Sequence, residues 1–198
     1  MDYKDFKEGV LATENKDYNG IKSRLDVPNI RLLHGIIGIN TEVGEIFECC
    51  VSCSYDDCFT LNIGDHVNFI EELGDIFYYI ALSADVLKMT ETDLVLKSSC
   101  EILELSDLLS ELQKSAINLL DMCKKVVFYG KDLDREFFLK HISKVYITTA
   151  QLSHQVQSCP AEVFDINNKK LAARYGEKFS ETLALNRNLE NERKILEK

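Results

Sequence analysis

Apolar residues recur at helical spacing along most of this chain. Between Pro28 and Val51, the residues Leu32, Leu33, Ile36, Ile37, Val43 and Phe47 gather on one face, as the three-to-four-residue period of an amphipathic helix requires. The same period runs through His66–Lys88, Ile102–Tyr129, Asp134–Gln157 and Pro160–Arg174. A shorter helix is expected around Asp5–Ala12, followed by a polar loop. Pro28 suits a first helical turn. Thr90 or Thr92 can cap the third segment, Gly130 closes it, Pro160 follows the fourth and Gly176 breaks the last. Residues 52–65, rich in Ser, Asp, Asn and Gly, read as a loop. The charged stretch Phe179–Lys198 reads as a solvated helix or an arm packed on a partner subunit. No strand-like alternation of useful length stands out. The expected fold class is all-α, a bundle of four to six helices in one domain spanning 1–198.

Composition agrees with a helical protein. The chain has 198 residues, 45% of them hydrophobic, with two Pro and nine Gly, which is long enough for a sizeable core. A net charge of −10 argues against non-specific nucleic-acid binding. The sequence shows neither a secretory signal nor a long apolar span, and its seven Cys form no repeating framework. Reduced thiols, a cytoplasmic location and no membrane association are therefore expected. Cys49, Cys50, Cys53 and Cys58 are too irregularly spaced for a zinc site and read as packing residues.

The chemistry lies in two acid pairs, Glu42-Val-Gly-Glu45 and Glu72-Leu-Gly-Asp75, with 26 residues between them. On a helical wheel, Glu42 and Glu45 share an arc of about 80° with Arg31, Gly35, Gly38 and Cys49. Gly35 and Gly38 then clear space where a ligand approaches the backbone. On the next helix Asn68, Glu72, Asp75 and Tyr79 form one stripe, with Glu71 at its edge. Antiparallel pairing brings the two stripes together. A single acid of this kind is usually a solvated helix face. Four on otherwise apolar helices are costly unless compensated, and a hard divalent cation is the expected compensation, Mg²⁺ first and Mn²⁺ as its substitute. A di-iron site of the ferritin type needs Glu-x-x-His motifs, which are absent from these pairs. The chain has no Gly-rich phosphate loop and no nucleophilic triad.

These residues resemble the MazG-type all-α nucleoside triphosphate pyrophosphohydrolases, a superfamily that includes dimeric dUTPases and phosphoribosyl-ATP pyrophosphohydrolase. The resemblance rests on Glu42-x-x-Glu45, on Glu71-Glu72-Leu-Gly-Asp75-Ile, and on Asn167-Asn-Lys-Lys170-Leu-Ala-Ala-Arg174-Tyr175 with the following Phe179-Ser. It covers about half the chain. It implies Mg²⁺-dependent cleavage of a (d)NTP to the monophosphate and pyrophosphate, with Glu42, Glu45, Glu72 and Asp75 as metal ligands and catalytic acids. Lys170 and Arg174 would contact phosphates, Asn167 the sugar or base, and Tyr175 would stack or pack nearby. Asn68 would orient a ligand or meet the nucleotide. Thr41 stands where many relatives carry another Glu.

Residues 91–165 lengthen the minimal unit. Setting Phe69–Asp75 against Phe138–Lys144 matches apolar spacing and places Lys140, His141 and Lys144 against Glu71, Glu72 and Asp75. In that scheme Asp121 and Lys124 fall against Glu42 and Glu45, and 91–165 reads as a degenerate copy whose bases face the acids. Lys124, Lys125 and Lys131 are then candidate phosphate contacts, although Lys near a helix C-terminus is also ordinary dipole compensation. The insertion leans towards a dUTPase- or dCTPase-like layout; the Asn/Lys/Arg ending leans towards the MazG type. The phosphoribosyl-ATP enzyme, or a non-catalytic nucleotide-binding helical protein, is the remaining alternative. A homodimer or homotetramer is expected.

Overall fold

Aspartates start five of the helices. Asp2, Asp17, Asp26, Asp65 and Asp134 each accept the backbone N–H three residues on, which satisfies a donor the helix cannot and contributes about 1 kcal/mol apiece. The computed structural model describes residues 1–55, 58–95, 104–176 and 178–197, with backbone alone at 52–55 and 58–60. The helices are α1 (Tyr3–Thr13), α2 (Tyr18–Arg24), α3 (Val27–Glu48), α4 (His66–Leu87), α5 (Glu91–Val95), α6 (Leu105–Tyr129), α7 (Arg135–Gln155), α8 (Pro160–Tyr175), α9 (Glu181–Leu185) and α10 (Leu189–Leu196). No helix among the described residues is long and apolar enough to cross a membrane.

The bundle is helical, as expected, but larger than four to six helices: ten are present among the described residues, eight of them seven residues or longer. The extra elements are short ones, α2, α5, α9 and α10. A second correction concerns residues 52–65. They are not a plain loop, because β1 (Cys50–Tyr55) and β2 (Cys58–Ile63) pair antiparallel, with Cys50 opposite Ile63 and Tyr55 opposite Cys58. In sequence, Phe59, Leu61 and Ile63 alternate with polar residues, the period-two pattern of a strand. The side chains of Cys53 and Cys58 lie outside the described residues. Cys49 is buried and its carbonyl accepts from Gly64 and Asp65, so it packs and closes the base of the hairpin. The expected start of the third long helix at Ile102 also lies outside the described residues.

Because a short hairpin joins them, α3 and α4 run antiparallel. Residue numbers rise on one as they fall on the other: Arg31 meets Asp85, Gly35 meets Ser83, Gly38 meets Tyr79. The two glycines therefore serve the helix crossing. A Cβ at Gly35 would strike the Ser83 hydroxyl, and one at Gly38 would lie 2.5 Å from the Tyr79 ring. This corrects the expectation that they open space for a ligand; α4 fills that space. Gly38→Ala should lower stability by about 1–2 kcal/mol, overpacking outweighing the better helix propensity. Gly44, whose Cβ would meet nothing within 4 Å, should become more stable by up to about 1 kcal/mol as Ala. Urea unfolding of the two variants checks both signs.

A second helix pair, α6 and α7, completes the core. Ile36, Ile39 and Ile46 of α3, Phe69, Leu73 and Ile76 of α4, Leu112 and Leu119 of α6, and Phe138 and Ile142 of α7 are fully buried together. Asn40 of α3 donates to the Ala116 carbonyl of α6 across 3.0 Å. At a spacing of 69 residues α4 and α7 share an Asp N-cap (Asp65, Asp134), matching buried positions (Glu72 and His141) and a left-handed residue after the helix (Lys88, Gln157). Three bases of the second pair have partners within it: Lys144 holds Glu111, and Lys124 and Lys125 hold Asp121, whereas the buried Nδ1 of His141 has no hydrogen-bond partner among the described residues. α8 lies antiparallel along α4, with Phe164 edge-on to Phe77 at 4.8 Å and Asn167 over Gly74. The tail is not a detached arm, since α10 folds back on α8 and α4 and buries Glu192 and Leu196.

Candidate metal centre

Three carboxylates converge where α3 crosses α4. Oxygens of Glu42, Glu45 and Glu72 all lie within 4.8 Å of one another. They share a place because α3 presents positions 42 and 45 one turn apart, while antiparallel pairing puts position 72 opposite. Their exposure is graded: Glu72 is buried at 8%, Glu42 half-buried and Glu45 exposed. Burial, then hydrogen bonding with Glu42 and the charges of Glu45, Asp75 and Glu42, pushes the Glu72 carboxyl up to about 9. Glu42 is raised as well, by burial first and then by the charges of Asp75 and Glu45. Like charges this close cannot all ionise without a counter-charge. A divalent cation with oxygen ligands supplies one, and the donor set fits it. Among the described residues no other group of three such ligands converges.

Asp75 stands beside this triad rather than in it. Its Oδ1 accepts from Asn167 Nδ2 at 2.7 Å and its Oδ2 from Lys170 Nζ at 2.6 Å. Its charge still reaches Glu42 and Glu72. Lys170 is completely buried and also meets Glu71 at 3.3 Å. Asn167 and Lys170 lie three residues apart on α8, one helical turn, so both face α4. The Asn-x-x-Lys spacing thus positions a carboxylate at the edge of the acidic site. Tyr79 completes that edge: burial and the charges of Glu42 and Asp75 push its hydroxyl up to about 12, and Tyr175 stands close enough to add to the shift. The Tyr175 ring in turn packs on Phe179 at 5.2 Å.

The remaining expected contacts are already engaged. Arg174 holds Glu192 through one guanidinium edge, Nε and Nη2 donating to its two oxygens at 2.9 and 2.6 Å. Asn68 accepts from Arg193 at 2.9 Å. Lys124 sits near the far end of α6, paired with Asp121 at 2.6 Å and half exposed. Glu71 is neutralised by Lys170 and Arg187. Sequence reasoning missed Arg187, Glu192 and Arg193. The only signal was the four-residue spacing of Glu192 and Leu196, which puts them on one helix face.

Matched against known protein families, curated proteins and solved structures, the chain finds no counterpart.

Proposed function

We propose that this chain is a Mg²⁺-dependent nucleoside triphosphate pyrophosphohydrolase of MazG type, cleaving a (d)NTP to the (d)NMP and pyrophosphate. The observation that carries the reading is the convergence of Glu42, Glu45 and Glu72 within 4.8 Å at a helix crossing, flanked by Asp75 and the Asn167–Lys170 pair. Those three carboxylates would hold the cation, which when bound offsets phosphate charge and lowers the pKa of water. The chain's own groups do the rest. Glu45, the exposed member, faces solvent and is the best-placed proton acceptor for an attacking water. Asn167 and Lys170 fix Asp75 at the edge of the triad, so its negative charge keeps a set position. Tyr79 and Tyr175 form one wall of the site. Nothing in the reading requires a covalent intermediate.

The test is a panel of common NTPs and dNTPs, dUTP and dCTP included, together with phosphoribosyl-ATP. Pyrophosphate and monophosphate should appear with Mg²⁺ and vanish with EDTA. A panel that releases no pyrophosphate from any of them sinks the proposal, and the ranking of substrates separates the MazG-type reading from its dUTPase-like neighbour.

A further inference from the structure

Beyond α8 the chain turns at Gly176 and comes back as α9 and α10. Only two side chains of α10 are buried, Leu196 and, unexpectedly, the carboxylate Glu192 at 3% exposure. A buried carboxylate is tolerated only when paired, and Glu192 is paired twice. Arg174 donates Nε to Oε1 and Nη2 to Oε2 at 2.9 and 2.6 Å; Arg187 donates Nε and Nη2 to Oε2 at 3.1 and 2.7 Å. Arg187 also reaches Glu71 at 3.0 Å, and Glu71 shares Lys170 with Asp75. The two arginines therefore sit at the end of a charge chain that begins beside the acidic triad.

Two guanidinium groups closing on one pair of oxygens is the geometry that equally suits a phosphate. An arm fastened for stability would be served as well by apolar side chains, since replacing buried ion pairs by hydrophobic residues is often neutral or better. This arm instead has one well-buried apolar anchor, Leu196, and is otherwise held by charges that another anion can replace. Arg174 is the phosphate contact that the family resemblance already implies; we infer that Arg187 joins it in one oxyanion site for a polyphosphate chain, and that Glu192 occupies that site in the free protein as an internal stand-in. A phosphate brings more charge and a third oxygen to the same donors. Glu192 competes from the same chain, at an effective concentration of the order of millimolar, so weak monoanions are excluded and a polyphosphate is admitted. Its entry releases α10 from α8 and α4. The pyrophosphohydrolase reading bears on this only by making a nucleoside triphosphate the natural ligand.

Inorganic tripolyphosphate titrated calorimetrically into the full chain, in EDTA, tests the arginine pair apart from any metal or turnover. Glu192→Gln and Glu192→Ala should each bind it about tenfold more tightly than the parent, and Arg187→Ala in either background should remove the gain. In the parent protein, saturating tripolyphosphate should speed hydrogen exchange at the α10 amides. Unchanged or weaker binding in both Glu192 variants overturns the inference, as does slower or unaltered exchange in α10. Should the Glu192 variants lose their helical signal, exchange in the parent decides alone. A protein that binds tripolyphosphate in this way yet hydrolyses nothing would refute the enzymatic reading only; an active enzyme whose arm ignores tripolyphosphate would refute only the gate.

Discussion

Glu72→Gln should abolish divalent-cation binding and, in the absence of metal, give a protein more stable than the parent at alkaline pH. The sign follows from the site. Burial, assisted by Glu42, Glu45 and Asp75, raises the folded-state carboxyl from 4.5 to about 9. The folded protein thus keeps a proton that the unfolded chain gives up. The stabilisation is fully present below the unfolded value and is lost as pH rises towards the folded one. The metal-free parent should therefore melt lower at pH 8.5 than at pH 5, and the Glu72→Gln variant, whose amide has no proton to lose, should flatten that slope. A cation needs the ionised form, so Mg²⁺ affinity in the parent should climb over the same window. Losing a direct ligand should cost more than the roughly 10–100-fold that an outer-shell partner costs. Calorimetric Mg²⁺ titration and melting curves across pH read both effects. Unaltered Mg²⁺ affinity in the variant would remove Glu72 from the centre.

The second large effect belongs to Lys170. Its side chain has no exposed surface and offers its charge to Asp75 and Glu71. Lys170→Met keeps the volume and removes the charge, leaving two acids short of a partner. Breaking a buried pair in this way costs about 3–5 kcal/mol; the low end is expected, because Asn167 still holds Asp75 and Arg187 still holds Glu71. Saturating Mg²⁺ should recover part of the loss by supplying positive charge beside Asp75. Urea unfolding with and without Mg²⁺ measures both, and a variant as stable as the parent would mean that Lys170 is a spacer rather than a counter-ion.

The long helices were readable because each carries several turns of apolar period, and all but α6 have an Asp or Pro at the start. Asp65 before His66 and Pro160 at the head of α8 mark their boundaries almost to the residue. The short helices escaped because α5 and α9 span five residues each, too few for a 3.6-residue period to repeat. The hairpin was hidden by Ser, Thr and Asn among its strand residues, although Phe59, Leu61 and Ile63 alternate. At the site, the spacing of Glu42, Glu45 and Glu72 was enough to foresee their meeting. The engagement of Asp75 by α8 was not, since it depends on how a helix 92 residues further along the chain docks. The glycines misled for a related reason: a bare stretch of helix looks the same in sequence whether a ligand or a tyrosine covers it.

Charge alternates along Asp75, Lys170, Glu71, Arg187, Glu192 and Arg174. Such a string has a parity. Deleting any one member leaves an odd charge somewhere along it, whereas deleting Asp75 with Lys170, Glu71 with Arg187, or Glu192 with Arg174 leaves balanced pieces; deleting Lys170 with Glu71, or Arg187 with Glu192, strands a charge on each side. A combinatorial mutational scan across these six positions should accordingly find the three balanced double mutants healthier than either of their singles, and the Lys170–Glu71 and Arg187–Glu192 doubles no healthier than theirs.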